Sequence, residues 1–98
     1  MIVRVLAHAR VDLVDGYWFY EAQAAGLGDY FLARIYEDLA RLGACAGLHR
    51  KIPSGHHRMI SRRFPFAIYY RVAGGAAEVD AILDCRRAPA WIQRRLRE

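Results

Sequence analysis

The chain reads as an α+β fold of order β-α-α-β-β-β-α, with a helical hairpin packed on one face of a small, twisted, antiparallel-rich sheet. Three observations predict it. Two consecutive segments place apolar residues at helical spacing, Leu13-Tyr17-Tyr20-Ala24 and Phe31-Ile35-Leu39-Leu42. Two alternating, β-branched or aromatic runs flank Gly74-Gly75 in the second half. A proline, Pro89, opens a last segment rich in arginine.

In order, Ile2 to Ala7 is a short β-branched-rich run and predicts a strand. The first helix follows from about Ala9 and ends at Gly26 and Gly28, since glycine accepts left-handed cap conformations without steric cost. Asp29 is placed to cap the second helix through its carboxylate. Gly43 and Gly47 are its expected stops. Leu48 to Gly55 reads as a basic loop with Pro53-Ser54-Gly55 as its turn. Strands are expected at His56 to Arg62, Phe66 to Val72 and Glu78 to Asp84, with Pro65 at a strand start where its missing N–H does no harm. Helix returns from Pro89 to about Arg97. Strict alternation puts Phe66, Ile68, Tyr70 and Val72, with Val79, Ala81 and Leu83, under the helices. Ala67, Tyr69 and Arg71, with Asp80, Ile82 and Asp84, then share an open face.

At 98 residues the expectation is one domain spanning 1–98. Apolar residues make up 55% of it, more than so small a core can bury, so part of the surplus is available to a partner interface. The net charge of +5 favours an acidic partner, whether nucleic acid, a nucleic-acid enzyme or an acidic protein segment. Cys45 and Cys85 are far apart and form no Cys-x-x-Cys, which argues for reduced thiols and a cytoplasmic location. No apolar run approaches the roughly 20 residues of a membrane helix, so no membrane partner is expected. His8, His49, His56 and His57 have no metal-ligand spacing, and adjacent strand residues face opposite ways, so neither a metal nor another cofactor is expected. His56 and His57 read as surface residues. Tyr17-Trp18-Phe19-Tyr20 must surround its helix, which implies either a wide buried face or a partner surface.

Arg62-Arg63-Phe64-Pro65-Phe66 and Arg86-Arg87-Ala88-Pro89 close the two edges of the predicted hairpin. Together with Tyr20-Glu21-Ala22, Gly26-Leu27-Gly28 and Phe31-Leu32, they resemble the toxins of bacterial toxin–antitoxin modules. The resemblance is to the ParE/RelE superfamily, also called plasmid stabilisation proteins, and runs from about Ile2 to Leu96. It implies the toxin of a type II module, neutralised by a cognate antitoxin whose acidic C-terminal segment wraps it, with a hetero-tetramer as one assembly. Two branches differ in chemistry. RelE-like members are ribosome-dependent mRNA interferases; ParE-like members poison DNA gyrase by binding and have no recognised nuclease site. In this chain Ala67 stands where the nuclease branch implies an arginine, and Ala90-Trp91-Ile92-Gln93 offers no tyrosine, histidine or carboxylate. The ParE-like branch is therefore the expectation, with a gyrase-binding inhibitor favoured over an enzyme. An mRNA interferase, using Arg87, Arg58 and His57, is the alternative, and an inactive antitoxin-binding remnant is a third reading. Target- or antitoxin-binding candidates are Arg62, Arg63, Tyr69, Arg71, Arg86, Arg87 and Trp91, because guanidinium forks hold phosphates and carboxylates bidentately.

Overall fold

Residues Met1–Glu98 are all described by the computed structural model. Strand β1 (Ile2–Val5) leads into helices α1 (Ala7–Glu21) and α2 (Leu27–Cys45). Strands β2 (His57–Ile60), β3 (Phe66–Ala73) and β4 (Ala76–Asp84) follow, and helix α3 (Pro89–Arg97) closes the chain. The expected element order holds. The sheet runs β1-β4-β3-β2, with β1 parallel to β4 and the other neighbours antiparallel. Strand β4 begins at Ala76 rather than Glu78 because Ile2 pairs with Ala76 and Val5 with Val79 along its outer edge. Gly74 and Gly75 both take positive φ (57° and 74°), the backbone a two-residue hairpin turn demands.

The helical hairpin is joined differently from the expectation. Asp29 lies in the first turn of α2 and caps nothing; the N-cap is Gly26, at φ 86°. Glu21 does the capping from the end of α1. Its carboxylate accepts from the backbone N–H of Gly26 (3.0 Å) and of Gly28 (2.9 Å), groups with no intrahelical partner. Gly43 does not stop α2 but lies inside it, and the turn comes at Gly47, with φ 90°.

Between helices and sheet lies an aromatic nucleus. Tyr20 and Phe31 stand 5.1 Å apart, Phe31 and Phe66 5.0 Å, and Phe64 meets Tyr20 edge-on at 4.8 Å. Gly16 makes room for it: a Cβ there would sit 2.6 Å from the Phe31 ring. Tyr70 is fully buried at the far end, where its hydroxyl accepts from the Gly47 N–H (3.0 Å) and meets the His49 ring.

Strict alternation fails along β4. Tyr69 pairs with Ala81 but Tyr70 with Val79, so Asp80 is an extra residue and the strand bulges there. Before the bulge, Ala77 and Val79 face the helices; after it, Ile82 does. Ala81 and Leu83 turn to the opposite face, where they join Ala67 and Tyr69. Ala81, Leu83 and Ile82 are thus each on the side opposite to the expected one. Val72, expected in the core, is exposed near the hairpin tip.

The opposite face is not open either. Helix α3 lies on it and makes a second core, with Leu96 buried against Ala67, Tyr69, Ala81 and Leu83, and with Ile52, Trp91 and Ile92 around them. Tyr69, expected as an exposed contact residue, is 1% exposed. Two expectations follow. Truncation of a large buried aromatic side chain costs about 3–5 kcal/mol, so Tyr69→Ala and Tyr70→Ala should both lower the melting temperature strongly. A near-native melt for Tyr69→Ala would mean that α3 does not stay on the sheet in solution. Burial, helped by Arg41 and His57, holds the His49 imidazole below its ordinary pKa of 6.5. Its contribution to stability is present above pH 6.5 and is lost as the pH falls through the lower folded value. The melting temperature should therefore drop on acidification from pH 6.5 down through that lower value, and drop less in His49→Gln. Equal pH slopes for the two proteins would clear His49 of the effect.

Candidate functional site

On the α3 side of the sheet, a cleft of about 490 Å³ opens between the Ile52–Ser54 turn and α3. Arg58 from β2, Arg87 after β4 and Arg97 at the end of α3 reach it, and neither a carboxylate nor a histidine lines it. None of these three guanidiniums forms an ion pair with a carboxylate. Burial works against the Arg58 charge, but the Tyr69 phenol and Cys85 thiol beside it outweigh that and hold its pKa above the usual arginine value. Arg87 is positioned by stacking over the Trp91 ring, 4.0 Å from its centroid.

One wall of the cleft is fastened from beneath. His56, expected on the surface, is fully buried. Its Nδ1 lies 2.8 Å from the Ser54 hydroxyl and its Nε2 2.7 Å from the carboxylate of Asp80, the bulge residue. Gly55, at φ 89°, donates to the Ile52 carbonyl (2.9 Å) and closes the turn. The loop is thereby tied across β3 to β4.

The candidate residues meet different fates. Arg58, Arg87 and the Tyr69 side chain converge on the cleft, with Trp91 behind Arg87. His57 does not join them; it stacks on Tyr70 (5.1 Å) on the helical side and its Nδ1 pairs with the His49 carbonyl (2.8 Å). Arg86 is occupied. Its guanidinium grips both oxygens of Asp84 at 3.0 and 2.7 Å, and holds that carboxyl below the usual carboxylate range. Arg71 stays exposed, with Asp80 3.9 Å away. Arg62 and Arg63 project from the loop between β2 and β3, which buried Asp38 secures by accepting from Ser61 Oγ (2.6 Å). Sequence reasoning missed Arg97, Ser54 and the His56–Asp80 pair. Helical spacing offered one signal: Gln93 and Arg97 are four apart and flank the Ile92-Leu96 stripe that docks on the sheet.

A second cleft, of about 690 Å³, lies between α1 and α3. Asp12, Asp15, Asp84 and Glu98 line it, so its charge contrasts with that of the first. Asp12 Oδ2 accepts from Arg95 (2.7 Å) and from the Ile82 backbone N–H (3.0 Å), a group on the edge of β4 beyond the reach of β1. Burial pushes the Asp12 carboxyl above its usual value, against the pull of both donors. Around the outside of α1, Val11, Val14, Trp18 and Phe19 are all more than half exposed, and Trp18 reaches 63%. Val14, Tyr17 and Trp18 form an apolar groove with Leu32 and Tyr36 of α2. The aromatic run divides: Tyr20 is buried in the core, Tyr17 is half-buried, and Trp18 and Phe19 are uncovered.

No protein-family model matches the chain, and no curated protein matches it. Among solved structures, a chain of the "Chromosomal ParDE TA system from P. aeruginosa" superposes with a TM-score of 0.72 at 23% identity, over 84% of this chain and 92% of that one. The protein thus has a ParE-like fold: the resemblance drawn from its residues and the architecture agree.

Asp12 makes a testable joint, since Asp12→Ala strands Arg95 and an edge N–H together. Removing one partner of a poorly solvated pair costs about 3–5 kcal/mol, and the loss should concentrate in α3 as faster amide exchange from Trp91 to Arg97. Uniform destabilisation with no excess in α3 would show that the helix is held by Leu96 and its apolar neighbours alone.

Proposed function

We propose that the protein is the toxin of a type II toxin–antitoxin module, neutralised by a cognate antitoxin, and that it arrests growth by poisoning DNA gyrase. The similarity in fold to a chain of a ParDE system, over 84% of this chain, carries the first part of this reading. The uncovered apolar surface of α1 supports a protein partner, because Val11, Val14, Trp18 and Phe19 stand exposed together on one helix, and clustered exposed apolar side chains mark a surface that a partner covers. The net charge of +5 favours an acidic antitoxin segment, disordered alone and folding on contact. Binding rather than RNA cleavage is favoured by the arginine cleft itself, which has three cations, no histidine or carboxylate, and as other titratable groups only the Tyr69 phenol and Cys85 thiol held beside Arg58. Buried Ala67 and the position of His57 on the other face fit the same reading.

Induced expression of the chain alone should arrest growth, with DNA synthesis failing before protein synthesis, and co-expression of the neighbouring antitoxin gene should relieve it. Arg87→Ala should weaken the arrest more than Arg50→Ala. Loss of a charge-assisted hydrogen bond costs about 1.5–3 kcal/mol, or roughly 10- to 100-fold in affinity. Normal growth at verified soluble expression would leave the inactive antitoxin-binding module. Early arrest of translation with cut messenger RNA would establish the interferase instead.

A further inference from the structure

We propose that Cys45 is a modification site, a nucleophilic thiol served by His49 as its base, which takes up a low-molecular-weight disulfide such as glutathione disulfide as a mixed disulfide. The reading goes beyond the toxin assignment and holds whichever target the toxin arrests.

The thiol does not stand alone. Cys45 is the last residue of α2, and its Sγ lies 3.9 Å from Nε2 of His49. The other ring nitrogen, Nδ1, meets the hydroxyl of fully buried Tyr70, which also accepts from the Gly47 N–H (3.0 Å). With its Nδ1–H on the Tyr70 oxygen, the ring turns an unprotonated Nε2 to the sulfur. A nucleophile, a base within reach and a third group that orients the base form the arrangement that activates a side chain for covalent chemistry. The base is fixed at its backbone too. His57 Nδ1–H donates to the His49 carbonyl (2.8 Å), and the His57 ring stacks on Tyr70 at 5.1 Å. Burial, with Arg41 and His57 close by, holds the His49 imidazole below its ordinary pKa of 6.5. It is therefore neutral at pH 7 and able to accept a proton.

The site is open to a small reagent. Cys45 is partly exposed, and its neighbours Ala44, Gly47 and Leu48 are exposed. Arg50 and Lys51, exposed further along the same loop, suit a disulfide that carries carboxylates. Cys85 has no such base, since no histidine lines the cleft in which it sits.

At rest the thiol donates to the Arg41 carbonyl (3.2 Å). Rotation about the Cβ–Sγ bond turns it to Nε2, and the 3.9 Å separation is that of a pair which tightens only when its reactant arrives. The thiol proton passes to Nε2 as Sγ attacks one sulfur of the glutathione disulfide. The disulfide bond breaks, a new one forms to Cys45, and the departing glutathione thiolate takes the proton back from the imidazolium. The small disulfide is the oxidant, one of its halves leaves as the thiol, and no further reactant is needed.

The test incubates reduced, purified protein with glutathione disulfide at pH 7 and follows the adduct on each cysteine by peptide mass spectrometry. The same chain in urea supplies the rate of an unassisted thiol. Such a thiol is already a few per cent ionised at pH 7, which caps the gain from a base at about thirtyfold. Cys45 should react about tenfold faster in the folded protein than in urea, and dithiothreitol should release the adduct. His49→Gln keeps a polar partner for Tyr70 and has no base, so it should bring Cys45 down to the rate in urea. Tyr70→Phe keeps the ring in the core and frees the imidazole, and its rate should fall between the two. Cys85 should react equally in all three proteins, which separates loss of the base from general loosening. Melting curves establish that each variant is folded; should one fail to fold, the other decides. A folded wild type whose Cys45 reacts no faster than in urea would overturn the proposal. So would an unchanged Cys45 rate in the folded variants, or an adduct found on Cys85 alone.

Discussion

The bulge at Asp80 is the feature on which the two sides of the molecule depend. Up to Val79, β4 turns its odd-numbered residues to the helical hairpin; after Asp80 it turns Ile82 there and gives Ala81 and Leu83 to α3. A regular strand would have put Ile82 on the α3 side and Leu83 among the aromatic rings. The extra residue lets one strand serve two cores, each with side chains of the size it holds. Asp80 itself is free of the ladder, and its carboxylate reaches across the sheet to His56. The arginine cleft and the packing therefore have a common origin in one irregular residue.

Charge is distributed with the same economy. Several arginines have acidic partners close at hand: Arg86 with Asp84, Arg95 with Asp12, Arg41 with Asp38. The three that line the cleft have none. On either side of α3 the surface changes character, from a cleft bearing four carboxylates to one bearing none. Arg87 borders both, stacked on Trp91 between them. Helix α3 is thus a divider as well as a cover, fastened by Leu96 to the sheet and by Arg95 to α1. Its attachment is modest, and what it covers, Tyr69 and Leu83, is apolar sheet that would bind a partner or aggregate if left bare.

The fold is shared at 23% identity with a chain of a ParDE system, although no family model matches the sequence. Helical spacing, strand alternation and paired turn glycines specify this architecture, and many different side chains satisfy them. The match in architecture therefore speaks to the fold alone.

Local chemistry made the element order readable from the sequence. Period and turn residues act over a few neighbours, so the two helices, the Gly74-Gly75 hairpin and the Pro89 helix start were all legible. So were the buried stripe Phe31-Ile35-Leu39-Leu42 and the inward set Phe66, Ile68 and Tyr70. Of the candidate site, the sequence marked Arg58 and Arg87 as cations beside a strand and left their meeting place undefined. What it could not disclose depended on partners distant in the chain. Glu21 replaced Asp29 as the cap because it reaches Gly26 and Gly28 only once the hairpin turns. The bulge shows only when β3 and β4 are paired, and with it the exchange of Ile82 for Ala81 and Leu83. Tyr69 became core, and His56 an interior residue, because α3 and the Ile52–Ser54 turn fold over a face that alternation alone leaves open. Spacing determines which way a side chain points; only the packed structure decides what lies there to meet it.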